Sequence, residues 1–595
     1  MKPTLLAAAL AGALAVALSA HAATPAPAAA RPVPAWVKNS NADARILLDA
    51  QLRFQPESAT FFGVPGYDDK VADLGPDVGA RSRKAVDEAR AALRKKLETE
   101  RDPNVRQDLE IMIGAATDTI EASEVNERMV LPFIDAPQLV FGGMSGLLSD
   151  QVPADRRARA LARLKAYVGQ APGTTPIMVL ARQRYEERAG NSALLRPSKL
   201  EVEQALNNAQ TYAAGIRKLF DKYRIKGGDA ALKALDTQTA EFLAWARGTV
   251  LPQARSETQL PRELYALQLK QVGIDIPPET LIARARLEFM ETRAAMQQIA
   301  PIVAKAKGID ATDYRAVIRA LKQDTIPNDK LEARYREVID AIDPIIRRER
   351  IVDVPQRPMI MRLGTEAENA QQPAPHFLPA PLIGNTGQQG QFVLPLANPA
   401  AGAADQYDDF NFPSVAWTLS AHEGRPGHEL QFTAMVERGV SLARTLFAFN
   451  SVNVEGWALY AEAEMVPYEP VDGQLIALQF RLMRAARAML DPMLNLGMID
   501  RARAEKVLME DVGLSKAMAR QELDRYTFNA PGQAGAYFYG YSRLLELRAE
   551  AEMALGDQFD RLAFNNFVID QGMLPPDLLA KAVREQLIPA QKAKR

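Results

Sequence analysis

One pattern limits this chain more than any other: helix-favouring segments follow one another almost without break, and a single stretch interrupts them. Segments 80–99, 105–123, 154–168, 199–223, 228–249, 278–300 and 328–346 are rich in Ala, Leu, Arg, Glu and Lys. Ile282, Ala285, Phe289, Met296 and Ile299 recur at helical spacing behind Pro277-Pro278, which reads as a core-facing stripe with its start signal. Between about 350 and 410 the texture changes. "VPQRPMIMRLG", "APHFLPAPLIGN" and "GQFVLPLANP" are short apolar runs punctuated by Pro and Gly, as short strands are. From 411 helices return and continue to the end. No repeat of fixed period occurs. The expected fold is mainly α, a large multi-helix body with a small β-containing insert. Its expected divisions are a signal peptide 1–22, an Ala/Pro linker 23–40, a helical region 41–349, the insert 350–410 and a second helical region 411–595.

Cysteine is absent from all 595 residues. Stability must then come from helix packing, and any metal site must use His, Asp and Glu. Lys+Arg (72) and Asp+Glu (73) balance, so charge makes no case for nucleic acid or an anionic membrane as partner. The first residues, "MKPTLLAAALAGALAVALSAHA", have a basic start, an apolar run and a small-residue end, which predicts a secretory signal cut after Ala22. The apolar run Leu5–Leu18 is shorter than the roughly 20 residues a membrane span needs. Without Cys, lipid attachment through an N-terminal Cys is excluded. The mature chain is expected outside the cytoplasm, periplasmic or secreted, with no membrane segment. Its oligomeric state is not legible.

After such cleavage only His376, His422 and His428 remain, and two of these flank "EGRPG" in "HEGRPGH". The stretch is close to H-E-x-x-H, in which two His four apart on a helix share one metal. Six residues put the second His about 120° round and about 9 Å along a regular helix, too far to share an ion. Pro426 forces a bulge or break, and Gly427 permits backbone that other residues resist. With two residues looped out, His428 can restart a helix in register with His422.

A catalytic zinc usually takes three protein ligands. "SVNVEGWALYAEAE" supplies two candidates, Glu455 and Glu462, seven apart on one helical face among apolar neighbours. Glu455 is the expected ligand. Glu462 either orients an imidazole or is the ligand itself. Glu423, directly after His422, is the expected general base, as in H-E-x-x-H sites.

"AHEGRPGHELQF", "VEGWALYAE", "RYTFNAPGQAGAYFYG" and the N-terminal "PESATFFGVPGYDDKVADLG" resemble the signatures of the bacterial domain-of-unknown-function 885 family, over nearly the whole mature chain. That family is similar to zinc metallopeptidases, distantly to the mostly helical thimet-oligopeptidase and Taq-carboxypeptidase enzymes. The resemblance implies a zincin-like body with a substrate cleft and one Zn2+ held by His422, His428 and Glu455, with Glu423 as base. It also implies a tyrosine as oxyanion donor: Tyr537 matches, with Tyr539 and Tyr541 as alternatives. Arg525 and Tyr526 in "DRYTF" match as well. Arg525 either binds a substrate carboxylate or makes a structural salt bridge. Glu429 stands where many members have a second His. His376, in the insert, either contacts substrate or is structural. The expected function is an exported zinc-dependent peptidase acting on short peptides. The alternatives are a zinc hydrolase of esters or non-peptide amides and a non-catalytic helical binding or scaffold protein.

Overall fold

The computed structural model describes residues 33–371, 374–396 and 407–593. The expected signal peptide 1–22 and the expected linker up to residue 32 lie outside the described residues. The first helix, Ala35–Leu52, begins inside the stretch read as linker, 23–40, and shortens it. Pro34 accounts for the start: it lacks an N–H, and the residue just before a helix needs none for the helical ladder. Elsewhere the helix ends follow local chemistry. Asp102 accepts from the N–H groups of Asn104 and Val105 at the head of Pro103–Met129. Ser198 and Glu201 cap Lys199–Lys222 reciprocally. Gly308, at φ 67°, closes Pro278–Lys307 in the left-handed region.

The predicted stripe of that last helix is buried: Ile282, Ala285, Phe289 and Met296 are at most 6 % exposed, and Ile299 packs partly buried against the core that holds Phe289 and Met296. The helix lies along Val471–Asn495. The largest core joins Phe289 to Val354 with residues 410–588, so the chain does not divide into packed bodies at 349. Pro and Gly mark where helix gives way to strand; they say nothing about which helices share a core. A second core spans residues 131–250. A third joins helices Ala35–Leu52, Val78–Thr99 and Pro103–Met129 to Leu442 and Ala443, just beyond the "HEGRPGH" stretch.

The insert forms one three-stranded sheet, β1 (Ile360–Leu363), β2 (His376–Leu378) and β3 (Gln391–Leu394), in the order β1-β3-β2. β1 runs parallel to β3 with Ile360 opposite Gln391, and β2 antiparallel with His376 opposite Val393. The central strand is buried on both faces, and Phe392 and Leu394 join the main core. β2 is an edge, and it faces the site described below. The architecture is mainly α with a small β insert. Among the described residues no helix is long and apolar enough to cross a membrane.

Candidate metal centre

The helix that carries His422 does not run straight into the one that carries His428. Val415–Leu419 is α-helical, Ser420–Gly424 widens into an i→i+5 turn, and Arg425 is extended at φ −117°, ψ 137°. The helix resumes at His428 and runs to Arg438. The expected interruption is present, as a π-turn followed by a break. Gly427 is needed there: a Cβ on it would lie 1.9 Å from the His422 carbonyl oxygen. The break is fastened from outside. Trp457 Nε1 donates to the Pro426 carbonyl at 3.0 Å. Arg425 donates to Glu429 (2.6 Å), Asp343 (2.8 Å) and the Arg357 carbonyl (2.7 Å).

Helix Ser451–Met465 crosses this segment, started by Asn450, whose side chain accepts from the Asn453 N–H. It brings Glu455 to both imidazoles. Glu455 Oε2 lies 3.6 Å from His422 Nε2 and 3.5 Å from His428 Nε2, and one ligand atom from each residue falls within 4.8 Å of the others. The imidazole planes are nearly perpendicular, with centroids 4.8 Å apart. Burial works against a charge on Glu455, yet the two imidazoles outweigh it and hold the carboxyl well below the usual range. Glu455 Oε2 is buried with no hydrogen-bond donor.

Glu462, two helical turns along, orients His422: its Oε1 lies 2.6 Å from His422 Nδ1, which leaves Nε2 facing Glu455. Thr418 Oγ1 (2.9 Å) and Arg484 Nη2 (3.0 Å) donate to the same carboxylate. Burial opposes its ionisation, but Arg484 and His422 keep it ionised. Of the two carboxylates weighed in the sequence, Glu455 thus faces both imidazoles and Glu462 lies behind the His422 ring. Glu423 is buried beside the group, its Oε1 3.9 Å from His422 Nε2. Burial pushes its carboxyl up to about 8, with Glu455 adding to the rise against His428 and Arg484.

The group opens into a cavity of about 570 Å³ that Glu423, Tyr537, Arg525 and His376 also line. Tyr537 comes from helix Ala536–Leu555, which touches Ser451–Met465 backbone to backbone: a Cβ on Gly540 would meet the Val452 carbonyl oxygen at 1.9 Å, and one on Gly456 would meet Gly540 C at 2.5 Å. Arg525 Nη2 donates to Tyr537 Oη at 2.8 Å, so the phenolic proton is free to point elsewhere. Burial raises the Tyr537 pKa, and the phenol stays protonated at neutral pH. Tyr539 is bonded to Asp275 and Arg543, and Tyr541 lies under Arg481; neither lines the cavity. Arg525 also bonds Gln533 and sits 3.9 Å from Glu522, so it has both a structural tie and a face on the cavity. His376 is anchored by its Nδ1 to the Ala374 carbonyl at 3.0 Å, and burial lowers its pKa, which keeps it neutral.

The family described as "Bacterial protein of unknown function (DUF885)" matches residues 56–583. The chain belongs to this family. Two solved structures share the fold: a candidate lipoprotein from Colwellia psychrerythraea (18% identity, TM-score 0.71, covering 93% of this chain and 99% of that one) and a candidate lipoprotein of unknown function from Shewanella oneidensis (19% identity, TM-score 0.67, 93% and 100%). A comparison with curated proteins returned no match.

Within this DUF885 chain Glu429 has a definite task. It is fully buried and accepts from Arg425 and Thr433, which locks the break between the two histidines. Sequence reasoning did not reach several other groups of the site. Arg484 and Thr418 hold Glu462, and Gln533 Nε2 reaches Glu455 Oε1 at 3.4 Å and Ser451 Oγ at 2.8 Å. Gln533 lies within "RYTFNAPGQAGAYFYG", whereas Arg484 belongs to a helix without a motif. His428 Nδ1, unlike His422 Nδ1, is buried without a hydrogen bond, and its ring rests on Phe377 with centroids 6.4 Å apart.

The donor set fits a divalent ion. Bonds of about 2.0–2.1 Å to a tetrahedral zinc place ligand atoms roughly 3.3 Å apart, close to the spacing of Glu455 Oε2 from each imidazole. The bare, buried Oε2 of Glu455 is the atom such an ion would satisfy.

Proposed function

We propose that this chain is an exported, metal-dependent hydrolase that cuts peptide bonds in short peptides, with one Zn2+ held by His422, His428 and Glu455. The observation that carries the reading is the unpartnered Glu455 oxygen within 3.6 Å of two imidazoles, beside a buried Glu that is not one of the three. A site built only for structure has no use for that fourth group. Two imidazoles and a carboxylate suit zinc among the common divalent ions. Bound there, the ion supplies Lewis acidity, polarising a carbonyl and acidifying water.

The residues of the chain divide the remaining work. Glu423 takes a proton from the attacking water and delivers it to the leaving amine. Its place suits that task, since it is buried beside the imidazoles with Oε1 3.9 Å from His422 Nε2. Tyr537 donates its phenolic proton to the oxygen that gains negative charge, and Arg525 holds the phenol in place. Arg525 faces the cavity where a peptide carboxylate could meet it. Glu462 fixes His422 in the tautomer that presents Nε2. Export is supported by the N-terminal signal pattern and by the fold's occurrence in candidate lipoproteins.

The test is metal content by mass spectrometry, together with zinc-dependent cleavage of a short-peptide mixture. Glu423→Gln is expected to keep the metal and lose at least 100-fold in turnover. Full activity in that variant, or wild-type protein that binds no zinc, would sink the proposal.

A further inference from the structure

Resting on the peptidase reading, we infer that the cavity selects peptides with a bulky apolar side chain next to the bond that is cut. The cavity lining divides by chemistry. The ligand trio, Glu423, Tyr537, Arg525 and Gln533 form one contiguous polar part, joined by the contacts described above. The rest is mostly apolar, and five phenylalanine rings (Phe61, Phe62, Phe377, Phe432 and Phe449) line it with Pro, Leu and Val side chains. His428 is where the two meet: Phe377 stacks on its ring at 6.4 Å, and Phe377 in turn packs on Phe432 at 5.5 Å. An apolar group seated against Phe377 and Phe432 therefore lies beside the metal-ligating ring.

A second observation points the same way. Among the described residues, Phe61 and Phe449 are the aromatic side chains left largely exposed, at 50% and 54%. They are far apart in sequence, Phe61 on helix Glu57–Phe62 and Phe449 in the connection before Ser451, yet both line this cavity. Exposed rings gathered at a pocket suit a ligand that covers them, because covering apolar surface is favourable. Among the described residues of the lining, Arg525 is the one Lys or Arg, and it belongs to the polar part. A charged substrate side chain against the rings would lose hydration with no partner to replace it. The volume, about 570 Å³, suits a short peptide rather than a folded chain.

The experiment uses the zinc-loaded full chain and tetrapeptides Ala-Ala-Xaa-Ala and Ala-Xaa-Ala-Ala, with Xaa set to Phe, Leu, Ala, Lys or Glu and products identified by mass spectrometry. Phe and Leu peptides are expected to be cut beside Xaa with kcat/KM at least tenfold above the Ala peptide, and Lys and Glu peptides to fall below it. Phe61→Ala and Phe449→Ala, both at exposed positions, should each lower the Phe-to-Ala ratio at least threefold. Equal rates for all peptides, or a preference for Lys or Glu, would overturn the inference while leaving the peptidase reading intact. If no peptide is cut, that reading fails, and calorimetric binding of the same peptides to zinc-loaded Glu423→Gln decides the subsite. Tighter binding of the Phe peptide by tenfold or more supports it. Equal affinities, or no binding at all, refute it.

Discussion

Replacing Gly540 by alanine asks whether the site depends on the backbone contact between Ser451–Met465 and Ala536–Leu555. The new Cβ would fall 1.9 Å from the Val452 carbonyl oxygen and 2.9 Å from Gly456 Cα, where ordinary contact begins at 3.4 Å. The shortfall is 1.5 Å (3.4 − 1.9), and both obstructing atoms are main chain, so no rotamer change relieves it. Overpacking of this kind costs about 1–3 kcal/mol. Alanine returns about 1 kcal/mol of helix propensity over glycine, so the net loss of stability is modest, about 0–2 kcal/mol. The effect on the site is larger. Glu455 is the neighbour of Gly456, and metal sites tolerate about 0.2 Å of misplacement. A helix displaced by roughly 1 Å takes the carboxylate out of the shared position and leaves two imidazoles. Zinc affinity is expected to fall at least 100-fold, about 2.7 kcal/mol, in a competition titration against a chromophoric chelator at 25 °C. Gly114→Ala is the control: nothing lies within 4 Å of a Cβ there, so stability should hold or rise and affinity should not change. Wild-type zinc affinity in Gly540→Ala would refute the reasoning, because it would mean that the helices part without moving the ligand.

Three further outcomes are expected. Glu462→Gln removes the carboxylate behind His422 and leaves Arg484 without its buried partner, so zinc affinity should drop by about 10–100-fold in the same titration. Arg425→Ala strands the fully buried Glu429 and should cost about 3–5 kcal/mol in urea unfolding, whereas Arg425→Met with Glu429→Leu should recover most of it. Glu469 is buried with both carboxylate oxygens unpartnered, and burial pushes its pKa from 4.5 to about 8, with Glu462 and Asp472 adding to the rise. Its unfolded form ionises near 4.5 and its folded form only near 8, so wild-type stability is lost as pH rises through that window. Glu469→Gln should therefore match wild type near pH 4.5 and exceed it at pH 8, by a ceiling on the order of 5 kcal/mol in urea unfolding; a gain that does not grow with pH would contradict this.

What the sequence made legible is what local chemistry determines. Helical periodicity placed segment 278–300 and its stripe, which lie within the longer helix Pro278–Lys307, because each residue's face follows from spacing alone. The Pro426-Gly427 pair announced a break, because its consequences fall on its own backbone. The scarcity of histidine drew attention to the pair that now faces Glu455. The illegible parts depend on contacts between distant segments. Asp343 meets Arg425 across 82 positions, and Leu442 joins a core built of residues 44–116. Neither glycine of the 456–540 crossing has a local reason to be glycine, since both lie within helices. Phe61 and Phe449 share a cavity without sharing an element. The Ala/Pro linker is shorter than its composition suggests, because composition fades gradually whereas a helix begins at one residue, Ala35.

The six-residue interval between the histidines has a consequence for how the site is held. In a four-residue spacing the i→i+4 hydrogen bonds of one helix fix both imidazoles relative to each other. Here that ladder is interrupted between Gly424 and His428, so the relative placement of the rings must come from tertiary contacts. Trp457 and Glu455 lie two residues apart on a single helix; the first ties the Pro426 carbonyl and the second faces both rings. One element thus positions the break and supplies the third proposed ligand, and Arg425 fastens the break to Asp343 and Glu429 from the other side. The longer interval exchanges a local constraint for a distributed one. Substitutions at Trp457, Asp343 or Glu429, none of which touches the three ligand atoms, should therefore weaken metal binding more than they would around an uninterrupted helix.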